Sequence, residues 1–143
     1  MRVEITKELL STYRSKKDEI VELDWMLNNR WRSETMIGND VIFDYSKGYP
    51  MPQSVVGFDQ EKYDRAQERD LRKKKELEQE CVELEAWVEE IPDSRTRRIF
   101  RMCFIEGRRQ KDVAKAVNLD RSRISRKIDD YLKNAHKAQN AHV

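Results

Sequence analysis

The segment QKDVAKAVNLDRSRISRKIDD, residues 110–130, holds side chains whose chemistry can be named at once. Arg121, Arg123 and Arg126 are interleaved with Ser122 and Ser125, and Lys127 follows. Guanidinium forks and hydroxyls recognise anions and base edges. Arg matches guanine in a bidentate pair, and Ser serves either bases or phosphate. Arg108, Arg109 and Lys111, just upstream, add charge suited to phosphate contact and orientation. This is chemistry of recognition rather than of bond making.

Such side chains read a surface only if rigid elements aim them. The segment meets the demands of two helices packed across a sharp turn, over about 109–117 and 120–138. Counting from Gln110 as position one, Val113 is apolar at four, and Ala114 is small at five, where the second helix passes. Val117 fills eight, and Asn118 stands at nine, where a left-handed conformation is required. Leu119 and Ile124 complete the inner face at ten and fifteen. Lys127 departs from the apolar pattern at eighteen, and Ile128 is expected to take over that packing. Asp120 is placed to cap the second helix, whose first outward positions are Arg121, Ser122, Ser125 and Arg126.

Catalysis finds no comparable pattern. His136 and His142 lie near the C-terminus without a neighbouring nucleophile, and the chain has no glycine-rich phosphate loop and no acidic cluster with metal-ligand spacing. No catalytic residue, metal or cofactor is expected. Cys81 and Cys103 stand singly in apolar helical patterns and read as small buried hydrophobes. The opening MRVEITKELL lacks the apolar core of a signal peptide, and no run approaches a membrane span. A cytoplasmic protein with no membrane partner is the expectation.

Upstream, periodicity predicts a helix over about 4–31, with Ile5, Leu9, Tyr13, Ile20, Leu23 and Leu27 on one stripe and Lys16 interrupting it. Thr6 is placed to cap its start, and Asn28-Asn29 to stop it. A second long helix is predicted over 60–91, where Leu77, Cys81, Leu84, Val88 and Ile91 recur at steps of four and three. Its first half is nearly all charged, with Leu71 the only strong apolar anchor. The two helices are expected to pair antiparallel. The connector 32–59 holds Gly38, Gly48, Gly57, Pro50 and Pro52, with Val41, Phe43 and Tyr45 at every second position, so a short strand or hairpin and an ordered irregular link are both open there. After Pro92, Asp93 or Ser94 caps a third helix carrying Ile99, Phe100, Cys103 and Phe104, which closes at Gly107.

Charge divides along the same line. From Arg95 onward there are 14 Lys and Arg against 5 Asp and Glu, a net of +9, whereas residues 1–94 hold 15 against 22, a net of −7. A basic C-terminal part suggests an anionic partner for it.

From Ile91 onward, IPDSRTRRIFRMCFIEG followed by QKDVAKAVNLDRSRISRKIDDYL resembles the promoter-reading region 4 of bacterial sigma-70-type factors. The layout of the whole chain resembles small phage and prophage regulators of the RinA and ArpU type, and NDVIFDYSKGYPMPQSVVGFD looks like their middle connector. Met102-Cys103-Phe104 and Lys127 depart from that pattern. The resemblance implies an all-α fold in which a long helical hairpin, residues 1–91, precedes a sigma-70 region-4-like helix-turn-helix domain, residues 92–143. It implies promoter double-stranded DNA as a partner and extends to contact with RNA polymerase. The expected function is a phage or prophage transcription regulator with helix 120–138 in the major groove, its acidic N-terminal helices serving homodimerisation or polymerase contact. The alternative is a DNA-packaging protein resembling a small terminase subunit, although such proteins more often place the DNA-binding module first.

Overall fold

In the computed structural model the backbone is described over residues 4–32, 43–44, 51–52 and 59–141. The fold is all-α: α1 (Lys7–Ser11), α2 (Tyr13–Asn29), α3 (Gln60–Glu89), α4 (Ser94–Phe100), α5 (Gln110–Val117) and α6 (Arg121–Ala141). A 3-10 turn, Arg30–Arg32, follows α2, and a π turn, Arg101–Ile105, continues α4. Between Arg32 and Asp59 only β1 (Phe43–Asp44) and β2 (Met51–Pro52) are described. They pair antiparallel, Phe43 opposite Pro52 and Asp44 opposite Met51. The expected positions Val41 and Tyr45, and most of the connector motif, lie outside the described residues, as does His142.

The single helix predicted over 4–31 is two. Thr6 caps α1, its Oγ1 accepting from Leu9 N–H at 3.0 Å. At Thr12 both the backbone N–H (3.1 Å) and the hydroxyl (2.6 Å) donate to the Leu9 carbonyl. A threonine hydroxyl that bonds back to the preceding turn competes with the helical ladder, and the helix breaks for one residue before α2 begins. The predicted stop at Asn28-Asn29 is where the α-helix ends.

The chain packs as two compact units, one made of Met1–Asp18 with Glu78–Val143, the other of Glu19–Leu77. The unit holding α4, α5 and α6 therefore also contains α1, the start of α2 and the part of α3 from Glu78 onward.

In this first unit the predicted stripe Cys81, Leu84, Val88, Ile91 is buried, together with Leu10, Ile99, Phe100, Val113, Val117, Ile124, Ile128 and Leu132. Tyr13 donates its hydroxyl to Glu85, and burial with that hydrogen bond pushes its phenol well above the usual value. Lys16, the interruption in the α2 stripe, reaches Glu80 at 3.1 Å, which neutralises a charge near the core. The Trp87, Phe100 and Tyr131 rings meet edge to face at centroid distances of 5.4–5.8 Å, and Phe104 lies 5.6 Å from Phe100. This cluster fastens α3, α4 and α6 together. α1 is tied to α6 by Lys7–Asp129 (3.4 Å) and by His136 Nε2, which donates to the Ile5 carbonyl at 2.8 Å.

In the second unit, Lys74 pairs with Asp24 of α2 at 2.9 Å, and Arg30 of the following 3-10 turn with Asp70, so the chain running out of α2 faces progressively earlier residues of α3. The Arg30–Asp70 pair is buried, and Gln67 completes it by accepting from Arg30 Nη1 at 2.9 Å and donating to the Leu27 carbonyl at 3.0 Å.

Candidate nucleic-acid interface

Asp93 starts α4 as its N-cap, accepting from Thr96 N–H at 2.9 Å and from the Thr96 hydroxyl at 2.6 Å. Those two hydrogen bonds hold its carboxyl below the ordinary aspartate value, and the nearby Lys127 and Arg95 act in the same direction. The helix then loosens. Glu106 N–H reaches back five residues to the Arg101 carbonyl, and Gly107, at φ +68°, closes the π turn. Phe104, four residues after Phe100, packs against it and is buried, while Cys103 is only half-buried. The reading of both cysteines as small buried hydrophobes thus holds for Cys81 and is corrected for Cys103. Burial still pushes its thiol up to about 11, which leaves it a thiol near neutral pH.

α5 and α6 pack against each other across the three residues Asn118, Leu119 and Asp120. Asn118 has φ 57° and ψ 46°, the left-handed conformation expected at position nine, and it is the only non-glycine residue with positive φ among the described residues. Leu119 N–H donates to the Ala114 carbonyl at 3.0 Å, which satisfies an end carbonyl of α5. Val113, Ala114, Val117, Ile124 and Ile128 are all buried, so Ile128 takes the inward place that Lys127 leaves.

This packing sets the directions of the cationic side chains. Arg121 opens α6 and is exposed. Ser122 and Arg126, four residues apart, share the face opposite Ile124 and Ile128, with exposed Arg123 beside them. Ser125 is half-buried at the edge of this face. Lys127 is half-buried on the side of α6 that meets α4, near Asp93. Arg109 is the backbone N-cap of α5, and Lys111 lies in its first turn; both are exposed. Among the described residues, Arg109, Lys111, Arg121, Arg123 and Arg126 have no carboxylate partner.

Arg108 behaves differently. Its guanidinium pairs with Glu106 at 3.1 Å and reaches the Met102 sulfur at 3.9 Å. The structure thus leaves Arg121, Ser122, Arg123 and Arg126 exposed on the first turns of α6, and Arg109 and Lys111 exposed on the neighbouring helix. Arg108 is held by an internal carboxylate. Sequence reasoning assigned no role to Arg95 and Arg98, both exposed on α4; their spacing of three residues was the available signal.

Further along α6 the outer face turns acidic at Asp129 and Asp130, the first of them paired to Lys7. On α6 the exposed arginines are therefore confined to its first turns. No helix among the described residues is long and apolar enough to cross a membrane. Compared with known protein families, curated proteins and solved structures, the chain matches none of them.

Proposed function

We propose that the chain is a sequence-specific double-stranded DNA-binding regulator of transcription. α5 and α6 act as its helix-turn-helix, and α6 enters the major groove by its N-terminal turns. The observation that carries this reading is the left-handed Asn118 turn with a fully apolar inner face, which leaves Arg121, Ser122 and Arg126 outward and unpaired. Cations held near one another without carboxylate partners repel, and a polyanion relieves that repulsion. Arg121 and Arg126 read base edges, Arg109 and Lys111 hold phosphates, and Arg123, Ser125 and Lys127 flank them. The resemblance to phage and prophage regulators adds promoter DNA as the target and RNA polymerase as a partner. The acidic N-terminal helices then serve polymerase contact or pairing of two copies.

The test is selection of bound duplexes from host and phage genomic DNA, followed by footprinting and titration of variants. Arg121→Ala and Arg126→Ala should each cost about 1–3 kcal/mol on the selected site and relax specificity, while Lys111→Ala should weaken all sequences alike. An Arg121/Arg126 double variant with unchanged affinity would remove the groove assignment. Protection over a promoter supports transcription control, and protection at a packaging site moves the reading to a DNA-packaging protein.

A further inference from the structure

The four arginines of α4 and its π turn fall into two kinds. Arg97 is turned inward, its Nη1 donating to the Ile91 carbonyl at 2.8 Å. Arg101 is tied to Glu89 by two hydrogen bonds of 3.0 and 3.1 Å, the fork geometry of a neutralised pair. Arg95 and Arg98 are neither. They stand three residues apart, hence on one face of the helix, and both are exposed. Among the described residues neither has a carboxylate within ion-pair distance.

Arg98 is nonetheless fixed in place, because its Nη2 donates to the Ala116 carbonyl at 3.2 Å, near the end of α5. One donor of the fork is used, and the charge with the remaining donors is left free. A guanidinium already held by a backbone contact loses little further freedom on gripping an anion. Lys127, from α6, lies close enough to Asp93 to act on its carboxylate, which places its charge beside the start of α4. Asp93, held ionised by two hydrogen bonds from Thr96, sets one negative charge against the three positive charges of Arg95, Arg98 and Lys127.

We infer that Arg95 and Arg98 of α4, with Lys127 of α6, form a second phosphate-binding edge for duplex DNA, separate from the edge made by Arg109 and Lys111 of α5. The inference rests on the DNA-binding reading of α6. α4 and α5 pack on α6 and on each other, with Arg109 and Lys111 at the first turn of α5 and Arg98 reaching its last turn, so the two sets of cations stand at opposite ends of α5. A helix lying in a groove has a phosphate strand on each side, and one cationic flank neutralises only one of them. Like charges three residues apart on α4 repel in the free protein, and a bound phosphate reverses that penalty. No base contact is assigned to this edge. It sets affinity and seating, and leaves sequence choice to Arg121 and Arg126.

The test measures affinity of the full-length chain for its selected duplex, and for an unrelated duplex, across a series of salt concentrations. Arg95→Gln/Arg98→Gln should weaken both duplexes by a similar factor, about tenfold or more, and make the log K against log salt slope shallower by roughly 2, near 0.9 per lost phosphate contact. Lys73→Gln/Lys75→Gln, exposed positions on α3, changes net charge equally and should leave the slope as in the wild type. If the double variant melts early because the Arg98–Ala116 contact is lost, Arg95→Gln alone, which removes no intrachain hydrogen bond, should still reduce the slope by roughly 1. A wild-type slope in the α4 variants, or the same change in the α3 control, overturns this edge. A wild-type chain that binds no duplex overturns instead the DNA-binding reading on which it rests.

Discussion

Arg14 lies across the backbone of Gly107. Its Nη1 donates to the Ile105 carbonyl at 3.2 Å, and a Cβ placed on Gly107 would stand 2.9 Å from Arg14 Nε. Gly107 is thus constrained twice, by its φ of +68° and by the side chain seated against it. The left-handed conformation alone costs an alanine about 1–2 kcal/mol. Gly107→Ala should therefore destabilise the fold by about 2 kcal/mol, part of it steric. Arg14→Ala removes the steric part and leaves the backbone part, so in that background the same substitution should cost about 1 kcal/mol. Urea unfolding of the four proteins of this cycle measures both. Equal costs in the two backgrounds would show that Arg14 yields freely and that only φ matters.

The turn between α5 and α6 gives a second cycle of tests. Asn118→Gly should change stability by no more than a few tenths of a kcal/mol, because glycine accepts the left-handed region at no steric cost. Asn118→Val should cost about 1–2 kcal/mol or more, since a β-branched residue is a true outlier there. Ala114 is buried where the two helices cross, and Ala114→Leu should cost about 1–3 kcal/mol by overpacking. Thermal unfolding reports all three. A cooperative fold with wild-type stability after Ala114→Leu would show that the two helices do not approach closely.

These positions also mark what could be read from residue order. Asn118 and Gly107 were legible because a left-handed residue at a fixed offset is a local requirement, met by very few residue types. Leu77, Cys81, Leu84, Val88 and Ile91 were legible because helical period alone decides which side is inward, and all five are buried. The break at Thr12 was not, since it depends on which carbonyl a hydroxyl chooses. The π turn was not either, because a one-residue change of hydrogen-bond partner leaves almost no mark on an apolar pattern. At the candidate interface, outward direction followed from period, but pairing did not. Arg108 meets Glu106 two residues away, Arg101 meets Glu89 on another helix, and Arg98 finds a backbone carbonyl on α5. Only the folded chain separates charges that are spent from charges that are free.

Charge pairing inside the second unit carries the remaining prediction. Arg30 and Asp70 are each about 5% exposed, on helices whose other buried positions are mostly apolar. Burial, with the neighbouring charge of Arg69, draws the Arg30 guanidinium below its usual pKa, and Tyr63 acts the other way; the guanidinium stays charged, so its burial calls for an opposite charge facing it. Asp70 also accepts from Arg69 Nε at 3.0 Å, but Arg69 is largely exposed and that contact contributes little. Asp70→Ala removes the carboxylate that faces a buried guanidinium, and should cost about 3–5 kcal/mol. Replacing both partners, Arg30→Met with Asp70→Leu, removes the stranded charge and should recover most of that loss. Chemical denaturation of the single and double variants distinguishes the two cases. If Asp70→Ala costs under about 1 kcal/mol, water reaches Arg30 and the pair is an ordinary surface contact. If instead the double variant is as unstable as the single, the pair holds α2 and α3 together by its directional hydrogen bonds, and apolar packing cannot replace it.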